Sequence, residues 1–365
     1  MKIYLDNIIF SKVKHGGVSN YWYELCNYLL ENNKEEIYFF EDDLAKDNFH
    51  RKQLHIDKNK VINIKNHHSL LKQVLPINHK IEDRHIYHSS YFRGIKGSSN
   101  KIEVTTVYDF IHDYFFPFHK KLLHNYIKYN AIKRSKGIIC ISHNTYNDLN
   151  KFCPLKKNQK ATVIHVGVSD EYFPIKEYTL REQQFINDKK INDDFILFVG
   201  GRTGYKNFDF VASVLNENPK LKLIIVGGGE LSKPENELFS ENALTRVTHL
   251  KTAENFELNV LFNLAKALVY PSSYEGFGIP VVEAMRAGCP VIGLNNATIR
   301  EVAEKSAILL DSLSVSEFNI KYSNLNTIDF RQAAIEKGLE ESKKYGWEKC
   351  SKETFEFYKN LYETY

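Results

Sequence analysis

The chain has 365 residues, 43% of them hydrophobic and 26% charged. That is a soluble globular composition in a chain too long for one ordinary core, so two domains are expected. No apolar run approaches the ~20 residues of a membrane-spanning helix, and the five scattered cysteines, without a C-x-x-C pair, point to a reducing compartment and away from a disulfide frame or zinc site.

The net charge of +4 conceals an asymmetry. Residues 1–180 hold 27 Lys and Arg against 19 Asp and Glu, a balance of +8, and the remainder holds 22 against 26, a balance of −4. Thirteen of the 14 histidines, all but His249, lie in the first part as well. A basic N-terminal half suits a phosphate-bearing acceptor or an anionic membrane face. It is equally consistent with a solvated lysine-rich surface.

The opening MKIYLDNIIF alternates like a first strand, with KIYLDNI as the candidate strand, and lacks the features of a signal peptide. KHGGVSNYWYELCNYLLENN then reads as a glycine turn into an amphipathic helix with Tyr21, Leu25, Tyr28 and Leu29 on one face. EEIYFF, KVINI, RHIYHSS, IEVTTVYDF, KGIICIS and KATVIHVGV follow as short strands, FCPLKKNQK as a turn-rich connector, and SDEYFPIKEYTLREQQF as a linker. A second round opens with DFILFVGGR and continues through LKLIIVGGG, TRVTHL, ALVYPSS and PVIGL, with helical NFDFVASVLNEN and ENFELNVLFNLAKA between. Alternating short apolar strands and helices predict an α/β fold with parallel sheets, as two units joined near residues 174–190.

The segment SYEGFGIPVVEAMRAGCP carries the chemistry. Following the strand ALVYPSS, it lies where open α/β sheets bind ligands. Pro280 suits the first turn of a helix that runs to a stop glycine, Gly288. Gly276 and Gly278 therefore belong to a loop whose amides can face a phosphate, helped by the helix dipole. Helical side chains lean toward the N-terminus, so Glu283 is expected to lean back to the mouth where Glu275 sits. Like charge keeps both acids off the phosphate, but each can accept from sugar hydroxyls. That describes a nucleotide-sugar, with Glu283 on the ribose and Glu275 on the transferred sugar. A plain alternative has Glu283 complementing the helix dipole and Glu275 solvated. Cations for a diphosphate are offered by FVGGRTGYKN, with Arg202 and Lys206 after a strand and glycine turn.

These segments resemble family 4 of the retaining glycosyltransferases. EGFGIPVVEAMRAGCPVI is similar to that family's paired-glutamate signature, with Glu275 and Glu283 as its acids, and GGRTGYKN to its phosphate element. KHGGVSNY resembles the N-terminal glycine loop, ICISHNTYNDL and VIHVGVS its interdomain markers, and GWEKCSKETFEFYKNLY its tail helix. The resemblance implies the GT-B architecture: two Rossmann-like domains facing across a cleft, at 1–175 for the acceptor and 176–345 for the nucleotide-sugar, with helix 346–365 returning to the first. It implies Glu275, Arg202, Lys206 and His112 in catalysis, and Gly16, Gly17, Gly276, Phe277, Gly278, Ile279 and Glu283 at the donor. Where relatives carry a His-Asp pair after the strand IEVTTV, this chain has Tyr108-Asp109, with His112-Asp113 four residues on. Either His112 reaches in from the loop or Tyr108 donates the hydrogen bond.

The implied partners are a GDP- or UDP-hexose donor, a saccharide or lipid-linked acceptor, and an anionic membrane at its cytoplasmic face, with no nucleic acid. No cofactor or metal is implied, in keeping with the absence of a D-x-D motif. The setting is bacterial surface polysaccharide assembly. A nucleotide-sugar epimerase of the same architecture is the rival function. An NAD-dependent oxidoreductase is disfavoured, because VGGGEL lacks the third glycine of G-x-G-x-x-G.

Overall fold

The computed structural model describes residues 1–32, 34–64, 75–191, 194–303 and 305–365. They form two compact units, one of residues 1–167 with 346–365 and one of residues 168–345.

The first unit contains strands β1 (Lys2–Asp6), β2 (Glu36–Glu41), β3 (Val61–Asn63), β4 (Ile77–Asn78), β5 (His85–Ser89), β6 (Ile95–Lys96), β7 (Lys101–Val107), β8 (Gly137–Cys140) and β9 (Lys160–Val163). Seven of them make a sheet in the order β3-β2-β1-β5-β7-β8-β9, and β4 pairs with β6 separately. Every ladder is parallel, with Lys2 of β1 opposite Glu36 on one side and His85 on the other. The winding reverses between β1 and β5, which is the topological switch point of such a sheet.

Buried charge fixes that point. The Asp6 carboxylate, fully buried, accepts from Arg93 Nε at 2.8 Å, Ser89 Oγ at 2.9 Å and Tyr87 OH at 3.2 Å. A carboxylate is tolerated there because donors surround it. The same anchoring corrects the expected first strand, which stops at Asp6. Asn7 is pinned by Trp22 Nε1 at 2.6 Å and by its own bond to Glu41, and Ile8–Lys12 turns into a short helix.

The helix Trp347–Thr364 buries Trp347, Cys350, Phe355, Tyr358 and Leu361, a stripe at helical spacing, and packs against the helix Gly17–Asn32. Tyr358 is also hydrogen bonded to Nδ1 of His88 in β5. Burial holds His88 neutral, with its pKa pushed down to about 3.

The second unit contains β10 (Phe195–Val199), β11 (Lys222–Val226), β12 (Val247–Leu250), β13 (Ala267–Tyr270), β14 (Val291–Leu294) and β15 (Ile308–Leu310). The parallel order is β12-β11-β10-β13-β14-β15. Counted within the unit this is 3-2-1-4-5-6, the doubly wound order, with its switch point between β10 and β13. The run FILFV of β10 is buried at every residue, as expected for a strand covered on both faces. Ile196 and Phe198 join Phe208, Val211, Leu215 and Phe318 in one core.

Part of the expected linker is ordered otherwise. Thr179 and Glu182 form a reciprocal capping box that starts a helix at Leu180–Asp188, a signal present in the sequence as T-x-x-E.

Candidate functional site

Because β10 and β13 are neighbours, the loops leaving their carboxyl ends emerge side by side. Three hydrogen bonds lock them together. Ser273 N donates to Tyr205 O at 2.8 Å, and Asn207 Nδ2 donates to Pro271 O at 2.7 Å and to Ser273 Oγ at 2.8 Å. This lacing places the Lys206 ammonium in an ion pair with Glu275 and 3.3 Å from Tyr270 OH, the Lys206 and Glu275 side chains being 13% and 10% exposed. Burial and the adjacent Glu275 raise the Tyr270 phenol well above its ordinary range, so it stays protonated.

Arg202 is held differently. Its Nη1 donates to Gly227 O at 2.7 Å, and its Nη2 contacts the carbonyls of Gly228, Gly229 and Glu230 at 3.1, 3.2 and 2.8 Å. Its Nε donates to Glu235 at 2.8 Å, leaving the side chain 2% exposed. Burial alone would push the Glu235 carboxyl upward, but bonds from Arg202 and Ser232 bring it down to about 2. Gly227, Gly228 and Gly229 have φ of 91°, 77° and 71°, a left-handed run that side chains rarely adopt. Arg202 therefore fastens the turn after β11. The sequence placed it as a cation open to a phosphate; the structure places its nitrogens on protein.

After β13 the chain passes Glu275, Gly276 and Phe277 and enters the helix Ile279–Arg286, capped by Gly278 at φ 87° and ψ 50°, with Pro280 in the first turn. Phe277 is buried with its ring edge-on to Tyr345 at 5.3 Å. Thr298 Oγ1 donates to Glu275 O at 2.7 Å and Asn296 Nδ2 to Ser272 O at 2.7 Å, so the loop is held from a second side. Glu283, one turn into the helix, is partly buried; burial raises its carboxyl to about 7, with the Tyr172 hydroxyl acting the other way. The two acids thus differ in kind. Glu275 is salt-bridged, whereas Glu283 is desolvated and poised near neutrality.

The remaining expected residues belong to the first unit. Gly16 has φ 149°, and its carbonyl accepts from Asn20 N at 2.9 Å and Ser19 Oγ at 2.8 Å as Gly17 opens the following helix. Tyr108 OH donates to Ser90 O at 3.1 Å, so its proton is directed at backbone. Asp109 accepts from Ile111 N at 3.0 Å. The His112 ring stacks on His124 at 3.8 Å and on Phe116 at 4.5 Å, and burial lowers its pKa. Asp113 holds Lys128 at 2.6 Å, Asn125 at 2.6 Å and Tyr129.

Sequence reasoning missed Asn207, Thr298 and Tyr172, whose roles rest on contacts distant in the chain. It used the triple glycine of VGGGEL only against a nicotinamide site, although its left-handed demand was visible.

Residues 180–322 match the family of glycosyl transferases group 1. The O-antigen chain mannosyltransferase B of Escherichia coli is 33% identical over 116 residues, 32% of this chain and 30% of its own length. The O-antigen chain mannosyltransferase RfbU of Salmonella typhimurium is 28% identical over 214 residues, 57% of this chain and 56% of its own length. The chain therefore spans from under a third to just over half of these relatives. Sucrose-phosphate synthase from Thermosynechococcus elongatus shares the fold, with a TM-score of 0.75 over 100% of both chains at 15% identity. Over residues 180–322 the chain is similar to the group 1 glycosyl transferases, and its architecture is the GT-B fold.

Proposed function

We propose that the protein transfers a hexosyl unit, in the first place mannosyl, from a GDP- or UDP-linked donor to a saccharide or lipid-linked saccharide, with retention at the anomeric carbon. The relatives' names support transfer over epimerisation and favour mannose and O-antigen assembly. The carrying observation is the Lys206–Glu275 ion pair at the β10/β13 switch point, on the loop leading into the Gly278-capped helix.

Lys206 and the amides of Gly276, Phe277, Gly278 and Ile279 meet the diphosphate, whose charge grows as the sugar leaves. Arg202 acts through the 227–230 turn that it fastens. Glu275, paired with Lys206, accepts from hydroxyls of the transferred sugar. Glu283 accepts from the ribose. The acceptor hydroxyl attacks on the face the diphosphate leaves. The anomeric C–O bond to phosphate breaks, the glycosidic bond forms, and the hydroxyl proton passes to the departing phosphate oxygen. The resemblance assigns Gly16 and Gly17 to the donor phosphates and His112 to the transferred sugar.

Thermal stabilisation across a panel of nucleotide-sugars tests the assignment, since a ligand bound to the folded state raises stability by mass action. One GDP- or UDP-hexose should stand out, and the product's anomeric configuration should match the donor's. Stabilisation by none of them, or by nicotinamide cofactors instead, overturns it. Transfer should persist in EDTA; collapse reversed by Mn²⁺ would replace the proposed metal-independent route.

A further inference from the structure

The helix Phe118–Arg134 buries Lys128, Ala131 and Ile132 but leaves large apolar side chains exposed. Its inward side carries Lys128, fully buried and paired with Asp113, with its ammonium 4.1 Å from the centre of the Phe110 ring. Its outward side carries Phe118, Leu122, Leu123 and Tyr126, 71%, 56%, 56% and 68% exposed. Spacings of four, five and eight residues put these four on one face. The preceding helix, Ile111–Phe115, adds Tyr114 and Phe115, also exposed. Six large apolar side chains thus crowd a 13-residue stretch, where scattered single ones would need no explanation.

Charge identifies what covers them. Residues 114–136 contain six Lys and Arg and no Asp or Glu, two of the six being engaged inside the fold, Lys128 with Asp113 and Arg134 with Glu103. Lys121 is partly buried and Lys133 exposed on the same helix, and Lys151 stands at the edge, its Nζ 3.1 Å from Tyr114 OH. The neighbouring acids are engaged: Asp148 is hydrogen bonded by Tyr114 OH at 2.6 Å, and Asp113 is paired with Lys128. A second copy would bring this basic rim onto an identical one, since a two-fold interface is self-complementary. A bilayer with anionic headgroups matches both features: apolar and aromatic side chains enter the boundary region while lysines reach phosphates.

We infer that residues 114–126 form a membrane-docking face that seats the first domain on an anionic lipid surface. It gives the lipid-linked acceptor proposed above a place to be met and rests on that reading for its purpose. Docking is measured without donor, and transfer to a soluble acceptor without lipid, so the two fail separately.

The test is co-sedimentation of the full chain with vesicles of phosphatidylcholine alone or mixed equally with phosphatidylglycerol. Binding should require phosphatidylglycerol and weaken as salt rises. Combining Phe118→Ser, Leu122→Ser, Leu123→Ser and Tyr126→Ser should weaken it by at least about tenfold, from the apolar area lost to the bilayer. Leu180→Ser with Ile328→Ser, which remove the highly exposed apolar residues of the second domain, should leave it unchanged. Should the fourfold variant not fold, Tyr126→Trp serves, because Trp22 and Trp347 are buried. The emission of that variant should shift to the blue on phosphatidylglycerol vesicles and be quenched by brominated lipid. Binding equal to both vesicle types, retained binding in the fourfold variant, unshifted emission from Tyr126→Trp, or a dimer lost in the fourfold variant while vesicle binding persists would each overturn the assignment.

Discussion

At the scale of single residues, the two glutamates of one loop and helix have different surroundings, Glu275 paired with Lys206 and Glu283 partly buried beside the Tyr172 hydroxyl. Glu283, raised to about 7 by burial, carries a full charge only above neutrality, and a carboxylate accepts hydroxyl hydrogen bonds more strongly than the neutral acid. Nucleoside diphosphate affinity should therefore fall as pH is lowered from 8 to 6. The ligand's own phosphates titrate as well, so the informative quantity is the ratio of wild type to Glu283→Gln, which should shrink across that range. A constant ratio would remove Glu283 from the ribose. The two cations separate just as sharply. Lys206→Ala leaves Glu275 buried without its partner and should slow transfer by about 10²–10³-fold, as for loss of a preorganised donor. Arg202→Ala should also slow transfer, but through the glycine turn after β11. Hydrogen exchange at residues 227–231 should quicken in Arg202→Ala and stay as in wild type in Lys206→Ala. Equal exchange in both variants would return Arg202 to the role of a direct phosphate ligand.

At the scale of elements, the C-terminal helix is fastened to the first sheet through Tyr358 and His88. Folding depresses the His88 pKa from its ordinary value of 6.5 to about 3. Between those values the unfolded chain holds a proton that the folded chain excludes, so this contribution to stability is complete above about pH 6.5 and is lost as pH falls toward 3. The slope is at most about 1.4 kcal/mol per pH unit from this one group. Urea unfolding between pH 7 and 4.5 should show wild type taking up about one more proton on unfolding than His88→Gln. Equal proton uptake would mean that His88 is not held neutral by the packing of this helix.

At the scale of the whole molecule, the sequence disclosed what periodicity and glycine punctuation control. FILFV, ALVYPSS and PVIGL read as parallel strands because an apolar run between turns admits little else at that length, and the EGFGIP segment was placed correctly at a strand end. The first strand was drawn too long, because the buried Asp6–Arg93 pair that ends it joins residues 87 positions apart. For the same reason nothing in the sequence showed Arg202 turned onto the carbonyls of residues 227–230, or Tyr172 beside Glu283. Charge counting located a basic half but not the outward apolar face of Phe118–Arg134, since burial is a property of the fold. The central claim is that the two acids divide one nucleotide-sugar between them, and calorimetry of Glu275→Ala and Glu283→Ala with a nucleoside diphosphate and with the full nucleotide-sugar tests it most directly. Glu283→Ala should weaken both ligands alike, by about 1.5–3 kcal/mol for hydrogen bonds to a charged group. Glu275→Ala, which releases Lys206, should bind the diphosphate at least as well as wild type while losing the preference for the sugar-bearing donor. Weakening of the bare diphosphate in Glu275→Ala as large as in Glu283→Ala would contradict the division.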